Sequence, residues 1–284
     1  MTPAALDYVA ASSLEETLDA LADGDASVLA GGQSLVLDVI HRDGHCHRVV
    51  DINRVAEFAG LVEADGMLRV APLVRHRTFE TDAVGGGLGN LLRVVVSHIG
   101  HPPIRARGTM IGSLAYAHPA AEWPVVATIL GAELDLVGPD GCRTVAAERF
   151  FTGPFSTVRR REELLAEVRL PLLPAGTGAG FAEQRLPQAK FAEAAAMAAV
   201  TVTDGLVSAA AIGLVNAGPC PIRARAAEDV LIGSTFCDAA ITEAAEAAAT
   251  LDAAPSGSES DQRRQRRALK VLARRALTQA RDGW

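Results

Sequence analysis

Cysteine is scarce and scattered. Cys46, Cys142, Cys220 and Cys237 are the only four in 284 residues, and no two stand at CxxC spacing. A [2Fe–2S] cluster takes four thiolates, usually three of them close together, and a structural zinc site takes a comparable cluster. Neither is expected on this chain, and scattered thiols suit a reducing compartment. Long apolar runs are also lacking, although 49% of the residues are hydrophobic, enough for a sizeable core. Charge interrupts every stretch before the roughly 18 apolar residues that a membrane span needs. The first residues, Met1–Asp7, have neither a basic start nor a long apolar segment, so no signal peptide is expected and the expected location is cytoplasmic. Net positive charge is missing too: the balance is −7, against a general nucleic-acid binder. The exception is local. Arg263, Arg264, Arg266, Arg267, Arg274 and Arg275 make the C-terminus basic, at a spacing that suits a solvated helix face or a contact to an acidic partner better than a phosphate clamp. Aromatics are few and alanine is abundant, a compositional bias without an internal repeat.

What is present reads as alternating short strands and helices. Ser12 or Ser13 ahead of Glu15 and Glu16 predicts a helix start, with Leu14, Leu18 and Leu21 on one face. Val28–Ala30 and Val49–Ile52 read as strands, as does Met67–Val74. Helices are expected over Leu88–Ile99 and Ala121–Gly131, with Pro124 tolerated in a first turn. Residues 134–145 read as a hairpin around Pro139-Asp140-Gly141, and Leu164–Leu170 as a strand closed by Pro171. Leu172–Gly180, rich in Pro, Gly, Ala and Thr, is the expected domain boundary. Beyond it come a hairpin across Asp204-Gly205 and helices near Ile222–Ile232 and Asp238–Ala249. A flexible link at Ala253–Ser258 then leads to a last helix, about Asp261–Ala280. The class is α+β.

Two segments carry chemistry. In Ala30-Gly31-Gly32-Gln33-Ser34-Leu35, two glycines after a strand allow a diphosphate close to the backbone and leave amide donors free, while Ser34 adds a hydroxyl. Alone, this is equally a plain turn. The second, Arg107-Gly108-Thr109-Met110-Ile111-Gly112-Ser113-Leu114, again gathers small and hydroxylic residues where a loop must approach an anion. It runs on into Ala117-His118-Pro119-Ala120-Ala121-Glu122-Trp123-Pro124. Glu122 is either a carboxylate for ribose hydroxyls or an acid favoured at a helix start.

Together the two segments closely resemble the two FAD signatures of the flavin-binding medium subunit of the xanthine dehydrogenase/carbon monoxide dehydrogenase family, AGGxSL and IRxRGTxGGSLAxADPAAExP. The resemblance continues through Val50-Asp51-Ile52, Phe150–Pro154, Glu163–Pro171, Ala217–Ala224 and Arg263–Leu277, nearly the whole chain. It implies an FAD domain over 1–173, in subdomains of about 1–55 and 56–173, and a C-terminal α+β domain over 180–284. It also implies a job. Substrate is hydroxylated at a molybdopterin in a large subunit. Electrons cross two [2Fe–2S] clusters in a small subunit to FAD on this chain and leave to an acceptor, the whole being a dimer of heterotrimers. By the same resemblance Ala30, Gly31, Gly32, Gln33 and Ser34, with Thr109, Ile111, Gly112 and Ser113, hold the diphosphate, and Leu29 and Leu35 beside the first loop are further cofactor-binding positions. Glu122 lies on the ribose side, Ala117 and His118 are further cofactor-binding positions, and Ile99 and Leu165 flank the isoalloxazine.

The chain departs from the pattern in places. Ile111 stands where the family has glycine, so its side chain must turn away from the phosphates or the loop must shift. His118 replaces an acid or serine and is either a flavin-side residue or a surface histidine. Residues 181–192 match poorly, and no flavin contact is carried onto them. His41, His45, Cys46 and His47 resemble a metal cluster but have no evident acidic support. Gly85–Asn90 resembles a phosphate loop without the preceding strand, and a flexible loop is expected. No nucleophile or paired carboxylate stands out. Two further readings are open: a stand-alone FAD-dependent oxidoreductase of related fold, and a flavin-free assembly subunit, motivated by Ile111.

Overall fold

The computed structural model describes residues 6–41, 48–186, 189, 191–250 and 258–283. The chain opens with β1 (Asp7–Ala10), α1 (Leu14–Leu21), β2 (Ala26–Leu29), α2 (Leu35–His41) and β3 (Arg48–Asp51). The three strands form a parallel sheet in the order β1-β3-β2. Ser13 caps α1 by accepting from the Glu16 amide at 3.1 Å. Leu21, Val50, Ile52 and Phe58 form the small core beneath this sheet.

The middle part is an antiparallel sheet flanked by helices. It comprises β4 (Leu61–Ala64), β5 (Met67–Val70), α3 (Gly86–Val96), α4 (Pro102–Arg107), α5 (Met110–Tyr116) and α6 (Glu122–Ile129). There follow β6 (Glu133–Gly138), β7 (Gly141–Ala146), α7 (Ala147–Phe150), β8 (Phe151–Gly153), β9 (Ser156–Thr157) and β10 (Leu164–Pro171). The strand order is β4-β5-β10-β6-β7, with β8 and β9 paired separately. The expected strand over Met67–Val74 ends at Val70. The predicted hairpin is β6–β7.

The last part is a second antiparallel sheet, β11 (Thr177–Gln184), β12 (Ala194–Thr203), β13 (Leu206–Val215) and β14 (Ile222–Arg223), with α8 (Arg225–Leu231), α9 (Asp238–Ala248) and α10 (Glu259–Asp282). Asp204 and Gly205 both have positive φ, 52° and 79°, which suits the twist of a tight hairpin. The helix expected from Ile222 starts at Arg225 because Ile222 and Arg223 pair with Leu214 and Gly213. The Ala253–Ser258 link falls, apart from Ser258, outside the described residues.

The alanine bias has its reason here. Strand β12 is buried on both faces: Ala195, Met197 and Ala199 join the main core, while Ala194, Ala196, Ala198 and Val200 join the core under α8–α10. Small side chains let helices lie close to both faces. A Cβ on Gly180 would sit 2.0 Å from the Ala276 carbonyl oxygen of α10, and one on Gly213 would sit 2.4 Å from Val125 of α6. All eight residues of α6 are buried. Of the boundary expected over 172–180, residues 177–180 belong to β11, and the main core runs across it, joining Val126 and Leu134 to Met197 and Val215. On α10, Leu269, Leu272, Ala273, Ala276 and Leu277 are buried and the six arginines are exposed.

One expectation is corrected. Gly85–Asn90 is not a flexible loop: from Gly86 it is the first turn of α3. A Cβ on Gly87 would lie 2.7 Å from Thr177, and one on Gly89 would lie 2.0 Å from the Val84 carbonyl oxygen. These glycines serve close packing. Among the described residues, no helix is long and apolar enough to cross a membrane.

Candidate functional site

The two signature segments meet. Gly31 follows β2, and a Cβ there would lie 2.3 Å from the carbonyl oxygen of Arg107 and 2.7 Å from Cα of Gly108. Only glycine permits that approach. Gly32, at φ 75°, then turns the chain into α2. The second segment is a short helix rather than the expected loop. Thr109 is the N-cap of α5, and its hydroxyl accepts from the Gly112 amide at 3.0 Å. A Cβ on Gly112 would lie 2.8 Å from that hydroxyl, so glycine there preserves the cap. Ile111 is 4% exposed and packs into the main core. Its side chain turns away from the open face, where Gly112 and Ser113 are half-buried.

A ring of hydrogen bonds closes around the junction. The Asn53 amide nitrogen donates to the Ala30 carbonyl at 2.8 Å and, at 3.4 Å, to that of Leu29. Asn53 Oδ1 accepts from Arg75 at 2.6 Å, and the other arm of Arg75 donates to the Arg107 carbonyl at 2.6 Å. Burial, then the charges of Arg107 and Arg77, push the Arg75 guanidinium below its ordinary value. Several cations thus crowd beside the two loops. Tyr116 of α5 adds a link by donating to Asp38 of α2 at 3.2 Å.

His76 couples the second loop to Glu122. Its backbone amide donates to the Gly108 carbonyl at 2.9 Å, and its Nδ1 accepts from the Trp123 indole at 2.9 Å. Burial, with Arg105 and Arg75 nearby, lowers its pKa to about 3, so the imidazole is neutral and its proton sits on Nε2. Glu122, beside Trp123 at the start of α6, is 6% exposed, and burial raises its pKa to about 8. It carries a proton at neutral pH, unlike the ionised helix-start acid of the simpler reading.

The remaining expected residues lie around this centre. Ala117 ends α5 in the left-handed region, φ 50°, and its carbonyl accepts from the Phe155 amide at 2.8 Å. His118 accepts from the Ala120 amide at 3.0 Å and stacks on Phe191, ring centroids 3.8 Å apart. It is therefore half-buried in an aromatic stack rather than a free surface histidine. Gln33 donates to the Gly31 carbonyl at 3.3 Å, Ser34 lies in the turn just ahead of α2, and Leu35 begins that helix. Ile99 is half-buried at the margin of the main core, whereas Leu165 is 2% exposed within it.

Glu183 and Phe191, in the segment 181–192 onto which no contact was carried, also border the site. Glu183 reaches His98 and Arg185, each at 3.2 Å, and among the described residues its other carboxylate oxygen is buried without a partner. Sequence reasoning missed Asn53, Arg75 and His76, whose partners lie far away along the chain. The His45-Cys46-His47 group lies outside the described residues, as does the side chain of His41.

The residues fit an FAD diphosphate. Two loops in contact lack Cβ atoms at Gly31, Gly32 and Gly112, cations crowd beside them, and among the described residues the hydroxyls of Ser34 and Ser113 take no hydrogen bond. Comparison with known proteins gives the family. Residues 4–173 match the family profile described as FAD binding domain in molybdopterin dehydrogenase, and residues 180–280 match CO dehydrogenase flavoprotein C-terminal domain. The 6-hydroxypseudooxynicotine dehydrogenase complex subunit alpha of Paenarthrobacter nicotinovorans is 36% identical over 99% of this chain and 96% of its own length. The caffeine dehydrogenase subunit beta of Pseudomonas sp. strain CBB1 is 34% identical over 82% of this chain and 80% of its own. A chain of carbon monoxide dehydrogenase from Hydrogenophaga pseudoflava superposes with a TM-score of 0.90 at 30% identity, covering 99% of both chains. With its two glycine turns in contact and both family profiles matched in order, the chain belongs to the FAD-binding medium subunits of the molybdenum hydroxylase family.

Proposed function

We propose that this chain holds one FAD with its diphosphate between Gly31–Ser34 and Thr109–Ser113. In this reading it is the electron-exit subunit of a cytoplasmic enzyme, a dimer of heterotrimers. A large partner carries molybdopterin, and a small partner carries two [2Fe–2S] clusters. FAD, when bound, supplies a carrier able to accept electrons singly from those clusters and release them to an acceptor. The chain's own residues bind and orient. The Cβ-free turns let the two loop backbones come together, Ser34 and Ser113 offer hydroxyls, and Glu122 offers a buried, protonated carboxyl for a ribityl or ribose hydroxyl. Residues 1–173 form the FAD domain and 180–284 the second domain.

The observation that carries this reading is the contact of Gly31 with the backbone of Arg107 and Gly108. The flavin-free alternative loses its motive, because Ile111 buries its side chain in the core. Purification of the complex from its native host, with a visible spectrum and metal analysis, tests the proposal. A flavin spectrum with molybdenum and iron in companion chains is expected; a colourless complex contradicts it.

A further inference from the structure

We infer that Arg75 and Asn53 are positioning residues that hold the two cradle loops at a fixed separation, and that FAD affinity depends on the pair acting as one unit. The inference rests on the assignment of those loops to FAD.

Each half of the latch requires its own residue type. Arg75 spans two acceptors at once: Nη1 reaches the Arg107 carbonyl and Nη2 reaches Asn53 Oδ1, both at 2.6 Å. A planar fork does this, and a lysine ammonium on a single stem does not. Asn53 accepts with one atom and donates with the other. Because Oδ1 faces a donor-only guanidinium, the amide nitrogen must face the carbonyls of Ala30 and Leu29, and Asp51 at 2.6 Å. Asp51 in turn accepts from the Asn53 backbone amide at 2.8 Å and from the Tyr8 hydroxyl at 2.5 Å, which anchors the asparagine to the parallel sheet. On the other side, the backbone of Arg75 bridges to Thr109, and the His76 amide donates to Gly108. The latch therefore begins at the last strand residue before the first loop and ends at the N-cap of α5. Arg107 O is the shared point: the Arg75 arm and the Cβ-free face of Gly31 both meet it. If Arg75 or Asn53 is lost, van der Waals contact and the Tyr116–Asp38 bond hold the loops together while their spacing is released.

The test is FAD titration of the full-length apo chain, read by flavin fluorescence, with the melting temperature of each apo variant recorded. The variants are Arg75→Lys, Asn53→Asp and the double substitution. Arg75→Lys keeps the charge and loses the span. Asn53→Asp keeps an acceptor for Arg75 and loses the donors to Ala30 and Leu29. Each single change is expected to raise Kd about tenfold, equivalent to about 1.4 kcal/mol. The double variant should also be about tenfold weaker, where independent sites would give about a hundredfold. Variant Kd values within threefold of wild type overturn the inference, as does additivity in the double variant. If one single variant fails to melt cooperatively, thermal stabilisation of the other by saturating FAD decides, and a gain equal to that of wild type overturns it. A wild-type chain that binds no FAD, either alone or assembled with its partner subunits, sinks the flavin assignment instead, so the two failures are distinct.

Discussion

Glu122→Gln should change how stability depends on pH. Burial raises the Glu122 carboxyl to about 8 from an ordinary value of 4.5, and the nearby Glu183 adds to the rise. In the unfolded chain the carboxyl releases its proton near the ordinary value. Between about 4.5 and 8 the folded state therefore holds a proton that the unfolded state has given up. The stability contributed is fully present below the unfolded value and is lost as pH rises through the folded one. At about 1.4 kcal/mol per pH unit, the interval 8 − 4.5 sets a ceiling of about 5 kcal/mol on that loss. Glutamine has the same shape and no titration. Urea unfolding of the apo chain should give a variant-minus-wild-type stability that is smallest near pH 5 and grows steadily in the variant's favour toward pH 8. His76 titrates in the opposite sense but is present in both chains, so it cancels in the difference. A difference that stays flat across this range would refute the assignment of a buried, protonated carboxyl.

The other expectations follow from the same geometry. Gly31→Val forces side-chain atoms into the Arg107 carbonyl, already 2.3 Å from a bare Cβ. The purified chain should keep its circular dichroism and lose its flavin; full occupancy would count against the loop assignment. Gly112→Ala places a methyl 2.8 Å from the Thr109 hydroxyl and breaks the cap of α5. The cost should be about 1 kcal/mol in denaturant unfolding, and an unchanged midpoint would show that the cap contributes nothing. Trp123→Phe leaves His76 Nδ1 buried without its 2.9 Å donor. It should cost about 1–3 kcal/mol, read as a lowered melting temperature, and a chain that melts like wild type contradicts the pairing.

Some of this molecule was legible in its sequence, for identifiable reasons. The glycines of the signature turns announce themselves because their constraint is local: a backbone must come close to something, and side chains would prevent it. That the something includes the other loop required coordinates. The helix α1 was readable because its apolar face lies within eight residues and its cap directly precedes them. The helix α5 was not, since Gly108, Thr109, Gly112 and Ser113 carry the composition of a loop. Its helicity comes from the Thr109 cap and from burying Met110, Ile111 and Leu114. The start of α3 misled in the same way, because the low helix propensity of Gly87 and Gly89 is overridden by the packing those glycines permit. Asn53, Arg75 and His76 were invisible as a group because their bonds join segments separated by tens of residues, a relation that no spacing rule encodes. The neutral state of Glu122 also depends on burial by α6's surroundings, not on its neighbours in sequence.

The most direct measurement is an experimental structure of the full-length chain with FAD bound. The account predicts diphosphate density between the backbone of Gly31–Ser34 and that of Thr109–Ser113, with the Ile111 side chain still in the core. A flavin lying elsewhere, or those two backbones moved apart with nothing between them, would contradict it.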